Sequence, residues 1–222
     1  MKNPFRSACR IVLVSLLATA AVVSAEEAEF VIGPDYADAP ETKAKQGVSE
    51  GEVHEFVMDS KDSKIYPGIA KGQTGEVPYQ RKVAVYVPAG HRASKEMPFI
   101  VVQDGMSYKD TMRRVLDNLI EEKRVPAMVA VFVHSGGGDS KGSQRGLEYD
   151  TLSGTYAEFI EKEVLPRISK DYKIKFTSDP EGRATMGGSS GGSAAFTMAW
   201  YHPELYRRVL TYSGTYVNQQ HP

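Results

Sequence analysis

Residues 183–200 read Arg-Ala-Thr-Met-Gly-Gly-Ser-Ser-Gly-Gly-Ser-Ala-Ala-Phe-Thr-Met-Ala-Trp. A short strand-like stretch, Arg183 to Met186, runs into a glycine-serine turn, and Ala194 to Trp200 then has helix-forming composition. Strand, sharp turn, helix is the order in which a serine can be lifted off a sheet edge. A hydroxyl is a weak nucleophile, so it must project into a cleft where a base can take its proton. Small residues two before and two after the serine let strand and helix approach at the turn. Two frames satisfy this, Gly187-x-Ser189-x-Gly191 and Gly188-x-Ser190-x-Gly192, and the residues alone do not separate them. A phosphate loop of the G-x-x-x-x-G-K-[ST] kind is excluded, because no lysine follows the glycines. A flexible linker does not usually sit between a buried strand and a helix.

Working outward, the chain alternates between apolar runs and helical stripes. Val53 to Met58 and Arg81 to Val87 read as strands, the second stopped by Pro88-Ala89-Gly90. Pro98 to Gln103 and Ala127 to Val133 are nearly continuous apolar runs, as expected of parallel strands covered on both faces. Between them Met112, Val115, Leu116, Leu119 and Ile120 mark an amphipathic helix closed by Pro126, which makes a βαβ unit. A polar loop over Ser135–Asp150 precedes a second stripe through Tyr156, Phe159, Ile160 and Val164. Thr155 and Glu158 have the spacing of a capping box there, and Pro166 is placed to kink or end the helix. Arg208 to Tyr212 is a last strand. The fold class is α/β, with a mostly parallel sheet.

The N-terminus has the layout of a secretory signal peptide over residues 1–25. Lys2, Arg6 and Arg10 precede an apolar run from Ile11 to Val23, and Val23-Ser24-Ala25 supplies small residues for cleavage before Glu26. The run is shorter than the roughly 20 residues that span a bilayer. An exported, periplasmic or secreted protein is expected, without stable membrane insertion after cleavage. Residues 26–51 read as a mobile leader and 52–222 as the folded domain. The single cysteine, Cys9, lies in the part removed, so the mature domain rests on its core rather than on disulfides. Without Lys2, Arg6 and Arg10 the chain carries 24 basic against 28 acidic residues and no basic run, which argues against nucleic acid as a partner. Asp59-x-x-Asp62 lacks the alternating ligands of a calcium loop and no histidine pair has ligand spacing, so no metal is expected.

The turn Gly187-Gly188-Ser189-Ser190-Gly191-Gly192-Ser193-Ala194-Ala195-Phe196 resembles the nucleophile elbow of one esterase family of the α/β-hydrolase superfamily. That family includes enterochelin esterases, S-formylglutathione hydrolases of the esterase D type, feruloyl esterases and mycolyltransferases. Phe99–Gly105 (Phe-Ile-Val-Val-Gln-Asp-Gly), Arg145–Asp150 (Arg-Gly-Leu-Glu-Tyr-Asp) and His202–Tyr206 (His-Pro-Glu-Leu-Tyr) match it in the same order. The likeness runs from about Val53 to the end. It implies a three-layer α/β/α hydrolase fold and cofactor-free hydrolysis of a carboxylic ester through an acyl-serine. The family form G-x-S-x-G-G, laid on Gly191-Gly192, selects Ser189 as nucleophile. The oxyanion hole then falls to the N–H groups of Ser190 and Met106, with Gly105 a rival donor. Arg145, Glu148 and Tyr149 follow the fourth strand on the ligand-binding side of the sheet and are candidate walls of the substrate cleft. The favoured alternative for them is an ion pair that orders a long loop. Ser135–Asp139 reads as flexible loop.

In this fold the acid and the histidine follow the serine. Past Ser189 the chain holds no aspartate, one glutamate (Glu204) and two histidines (His202 and His221). His202 falls at the far end of the helix that the serine begins. The resemblance therefore implies that the acid and histidine lie on two further strands, that the sheet is incomplete at its C-terminal edge, and that these 222 residues alone hydrolyse esters weakly. Enterochelin-type siderophore esters and feruloyl or acetyl esters linked to polysaccharide both suit an exported enzyme. Acyl transfer on the same scaffold and a non-catalytic binding protein are the alternatives.

Overall fold

The computed structural model describes residues 33, 35–68, 77–138 and 142–217. The signal peptide, the first residues of the leader and His221 lie outside the described residues. The chain divides into two units, Met1–Ala37 and Asp38–Pro222, and the sheet and its helices belong to the second.

Strands β1 (Glu52–Asp59), β2 (Gln80–Val87), β4 (Phe99–Gln103), β5 (Val129–Val133), β7 (Arg183–Gly188) and β8 (Arg208–Tyr212) form one sheet in the order β1-β2-β5-β4-β7-β8. The two pairings at the β1 end are antiparallel and the other three parallel, so the sheet is mixed and mostly parallel. A separate parallel pair, β3 (Glu96–Met97) with β6 (Lys175–Phe176), escapes a sequence reading because two residues carry no period.

The alternation in β5 shows how the sheet is covered. Val129, Val131 and Val133 pack on one face with Tyr156, Phe159, Ile160 and Ile168; Ala130 and Phe132 face the other, with Leu116. The second face belongs to helix α1 (Lys109–Glu121). The first is covered by α2 (Gln144–Tyr149), by a long helix built of α3 (Thr155–Phe159), a wide π-helical turn (Ile160–Val164) and α4 (Leu165–Tyr172), and by α5 (Ser190–Tyr201). The layers are α/β/α, as expected.

Several local expectations are corrected. The stretch read as a polar loop over Ser135–Asp150 contains α2, capped by Ser143, whose hydroxyl accepts from the Gly146 N–H at 3.0 Å. Thr155 and Glu158 form no capping box: Gly154 occupies the cap, and Glu158 pairs with Lys162 instead. Pro166 neither ends nor breaks its helix. It lacks the N–H that would continue the ladder, and the wide turn just before it absorbs the irregularity. Within that turn Glu161 pairs with Arg183, whose guanidinium lies 5.0 Å from the ring centroids of both Phe99 and Tyr206.

Residues 39–51, inside the stretch expected to be a mobile leader, are tied to α1. Asn118 donates to the carbonyls of Glu41 and Lys43 at 2.7 and 2.9 Å, and Asp117 accepts from the Gly51 N–H at 2.8 Å. This explains why Asp117 and Asn118 are buried on a helix whose other polar residues face water. Ion pairs Glu41–Arg124, Lys45–Glu122 and Glu50–Arg113 flank these bonds.

Candidate active site

At the β7–α5 junction the backbone of Ser189 sits at φ 55, ψ −134, a conformation that costs about 1–3 kcal/mol and persists only where its surroundings fix it. They do so here. The Ser189 N–H donates to the Tyr212 carbonyl at 3.1 Å, and its own carbonyl accepts from Gly192 and Ser193 at 2.9 and 3.1 Å. A Cβ on Gly187 would stand 2.2 Å from the Gly191 carbonyl oxygen, so strand and helix close on each other only without a side chain there. The geometry gives the turn one apex. Ser189 is exposed at it, while Ser190 is buried and already helical. The Ser189 hydroxyl makes no capping bond to α5. Ser190 and Gly191 begin α5, where N–H groups have no intrahelical partner and the helix dipole favours negative charge.

Facing this is the turn after β4, the neighbour of β7. Asp104 adopts φ 52, a left-handed conformation, and Gly105–Ser107 form a single helical turn closed by Ser107 N–H to Asp104 O (3.1 Å) and Tyr108 N–H to Gly105 O (3.0 Å). Gly105 is required by packing, since a Cβ would approach the Phe132 Cα of β5 to 2.4 Å. The N–H groups of Gly105 and Met106 open this turn, so both remain geometric candidates for an oxyanion donor. A Cβ on Gly191 would lie 3.1 Å from Asp104 Oδ2, which places this turn directly against the start of α5.

Arg145, Glu148 and Tyr149 are arranged differently from a cleft wall. Glu148 is enclosed: Arg81 donates to both its oxygens at 2.6 and 2.8 Å, Tyr79 OH and Gln144 Nε2 to Oε1 at 2.9 and 2.8 Å, and Gly136 N–H to Oε2 at 3.3 Å. The side chains of Arg81 and Glu148 are 3% and 0% exposed. Burial alone would lower the Arg81 pKa; the Glu148 carboxylate and its hydrogen bonds more than reverse this, so the guanidinium stays charged. Tyr149 is buried too, its hydroxyl accepting from the Asp104 N–H at 3.1 Å, and burial raises its pKa. Arg145 forks onto the Asp104 carboxylate, with Nη2–Oδ2 at 2.8 Å and Nε–Oδ1 at 3.3 Å. The ion-pair alternative therefore describes the group, and the cleft-wall reading of Glu148 and Tyr149 is corrected. A buried position leaves neither a face for substrate. Residues 135–138 are pinned by the same network, with Arg145 N–H donating to Gly137 O at 2.8 Å.

Two residues near the apex carry no motif. Tyr212 OH donates to Tyr108 OH at 2.6 Å, and both close over Gly188, whose Cβ would meet the Tyr212 ring at 2.7 Å. Desolvation, and then the bond to Tyr108, pushes the Tyr212 phenol up to about 12, so it stays neutral near pH 7. His202 is remote. It caps the far end of the 12-residue α5, about 18 Å from its start at 1.5 Å per residue, with Nδ1 2.8 Å from Glu204 Oε1. That hydrogen bond lowers the Glu204 pKa.

A family model described as "Putative esterase" matches residues 74–221. The chain belongs to this esterase family. Among solved structures, enterobactin esterase FES from Shigella flexneri is 21% identical with a TM-score of 0.58, over 74% of this chain and 37% of that one. The ferulic acid esterase AmCE1/Fae1A from Anaeromyces mucronatus is 17% identical with a TM-score of 0.56, over 80% of this chain and 64% of that one. A protein named YbbA from Bacillus subtilis (strain 168) is 21% identical over 145 residues, 61% of this chain and 57% of its own. The chain thus spans between about a third and two thirds of the length of these proteins. The likeness to the two solved structures shows the α/β-hydrolase fold for this chain. Among the described residues no helix is long and apolar enough to cross a membrane.

Proposed function

We propose that the protein is a serine-dependent carboxylic ester hydrolase working through an acyl-enzyme. The observation that carries this reading is the forced backbone of Ser189 at the strand–helix apex, beside the N–H groups that begin α5 and the Gly105–Ser107 turn. In the first step the Ser189 Oγ–carbonyl bond forms, a base takes the hydroxyl proton, and the carbonyl oxygen becomes an anion held by the N–H of Ser190 and that of Met106 or Gly105. The C–O bond to the alcohol then breaks, the alcohol leaves with the proton, and water repeats the sequence to free the acid. The relatives named as enterobactin and ferulic acid esterases support enterochelin-type siderophore esters or feruloyl esters as substrate classes.

The test is covalent. The chain is incubated with p-nitrophenyl acetate and excess imidazole, which supplies an external base, then quenched in acid and mapped by mass spectrometry. An acetyl group on Ser189 is expected. Acetylation of Ser190 instead, or acetyl found only on lysines, would sink the reading.

Export belongs to the same proposal, resting on the charge and apolar order of residues 1–25. Protein recovered from periplasm or medium is expected to begin at Glu26, and intact mass gives the answer. Recovered material that still begins at Met1 would overturn it.

A further inference from the structure

We propose that Arg145 is a positioning residue that neutralises Asp104, so that the N-terminus of α5 stays open to the anion formed on the substrate carbonyl. The inference rests on the reading of Ser189 as nucleophile. Asp104 is fitted to its turn: Asp and Asn are among the few side-chain residues that tolerate its left-handed φ, its N–H is held by Tyr149 OH, and its carbonyl accepts from Ser107 N and Oγ at 3.1 and 2.8 Å. That choice brings a cost. Its carboxylate Oδ2 stands against Gly191, the second residue of α5, where the same N–H groups and helix dipole would hold an oxyanion. A bare carboxylate there would occupy the favourable field and repel a second negative charge.

The Arg145 guanidinium meets both carboxylate oxygens, with the two side chains only 13% and 24% exposed, so solvent screens the pair weakly. The arginine is itself held in place. It lies 5.3 Å over the Tyr149 ring, and its helix is anchored by the Glu148–Arg81 pair. Buried charge, left-handed turn and elbow thus form one connected assembly. Arg145 acts through Asp104 on the field at the apex without touching substrate.

A purely structural arginine and a charge-neutralising one predict different double variants. The readouts are Ser189-dependent p-nitrophenol release by the 222-residue chain in imidazole, and inhibition by phenylboronic acid, whose serine adduct carries a tetrahedral negative charge. Arg145→Ala is expected to lower the first about 10–100-fold and to weaken the second by a similar factor. Asp104→Asn in the Arg145→Ala background removes the stranded charge and is expected to return both to within about fivefold of the parent. If Arg145→Ala does not fold by circular dichroism, Arg145→Gln, alone and with Asp104→Asn, carries the same comparison. A double variant as slow as the single, or a single as fast as the parent, overturns the inference. A parent rate that survives Ser189→Ala overturns the nucleophile reading instead, so the two failures are distinguishable.

Discussion

Ser189→Ala is expected to reduce protein-dependent release of p-nitrophenol in imidazole by at least about 100-fold, and Ser190→Ala by less than about tenfold. The asymmetry follows from the backbone. Ser189 stands exposed at the strained apex, whereas Ser190 is buried as the first residue of α5 and offers the reaction only its N–H, which alanine keeps. The Ser189 variant also tests strain, because alanine is no better suited than serine to φ 55 and should leave the melting temperature nearly unchanged. Initial rates for the parent and both variants, each corrected for imidazole alone, decide the matter. The reverse ranking would mean that the hydroxyl doing the work lies one residue on, in a position this turn does not present.

Arg81→Met is expected to destabilise the domain by about 3–5 kcal/mol, because it would leave the buried Glu148 carboxylate without its opposite charge. For a domain of this size that corresponds to a fall of about 6–20 °C in melting temperature. Arg81→Met with Glu148→Leu should recover much of the loss, since removing both charges is far less costly than stranding one. Recovery stays incomplete because Tyr79, Gln144 and the Gly136 N–H lose their common acceptor. Urea midpoints for the three proteins measure this directly. An Arg81→Met midpoint equal to the parent's would show that the pair contributes nothing to stability.

The elements with a strong period are legible in the residues alone. β1, β2, β4, β5, β7, β8, α1 and α5 all fall where apolar spacing puts them, within a residue or two at the ends for most and a few residues at the start of α5. Each element that escapes such a reading does so for a physical reason. α2 is six residues of mixed polarity inside glycine-rich sequence, and it is helical because Ser143 caps it and Glu148 anchors it from within the core. Arg81 carries a charge on the same strand face as Val83 and Val85, and it is buried there by a partner 67 residues away. At the site, the glycines announce a turn in two frames; the family resemblance favours the Ser189 frame, and the φ of Ser189 and the crowding at Gly187 support that choice. The Asp104–Arg145 pair depends on a 41-residue separation closed by the adjacency of β4 and β5, a distance that local pattern does not encode. Tyr108 and Tyr212, 104 residues apart, meet because β8 ends beside the elbow.

The wide turn at Ile160–Val164 also sets the angular phase of the longest helix. Tyr156, Ile160, Val164 and Ile168 recur at intervals of four, and all four are buried. At 3.6 residues per turn, an interval of four advances about 40° too far each time, so an ideal helix would wind this row about 120° around its own axis between Tyr156 and Ile168. A looser turn in the middle gives back part of that rotation and keeps the row pointed at the sheet. The irregularity therefore works as a vernier between a four-residue apolar repeat and a 3.6-residue coil. Excising one residue from the wide turn would let it close as ordinary α-helix with Ile168 still facing the sheet, whereas excising one from a regular turn of the same helix would rotate everything beyond it by about 100°.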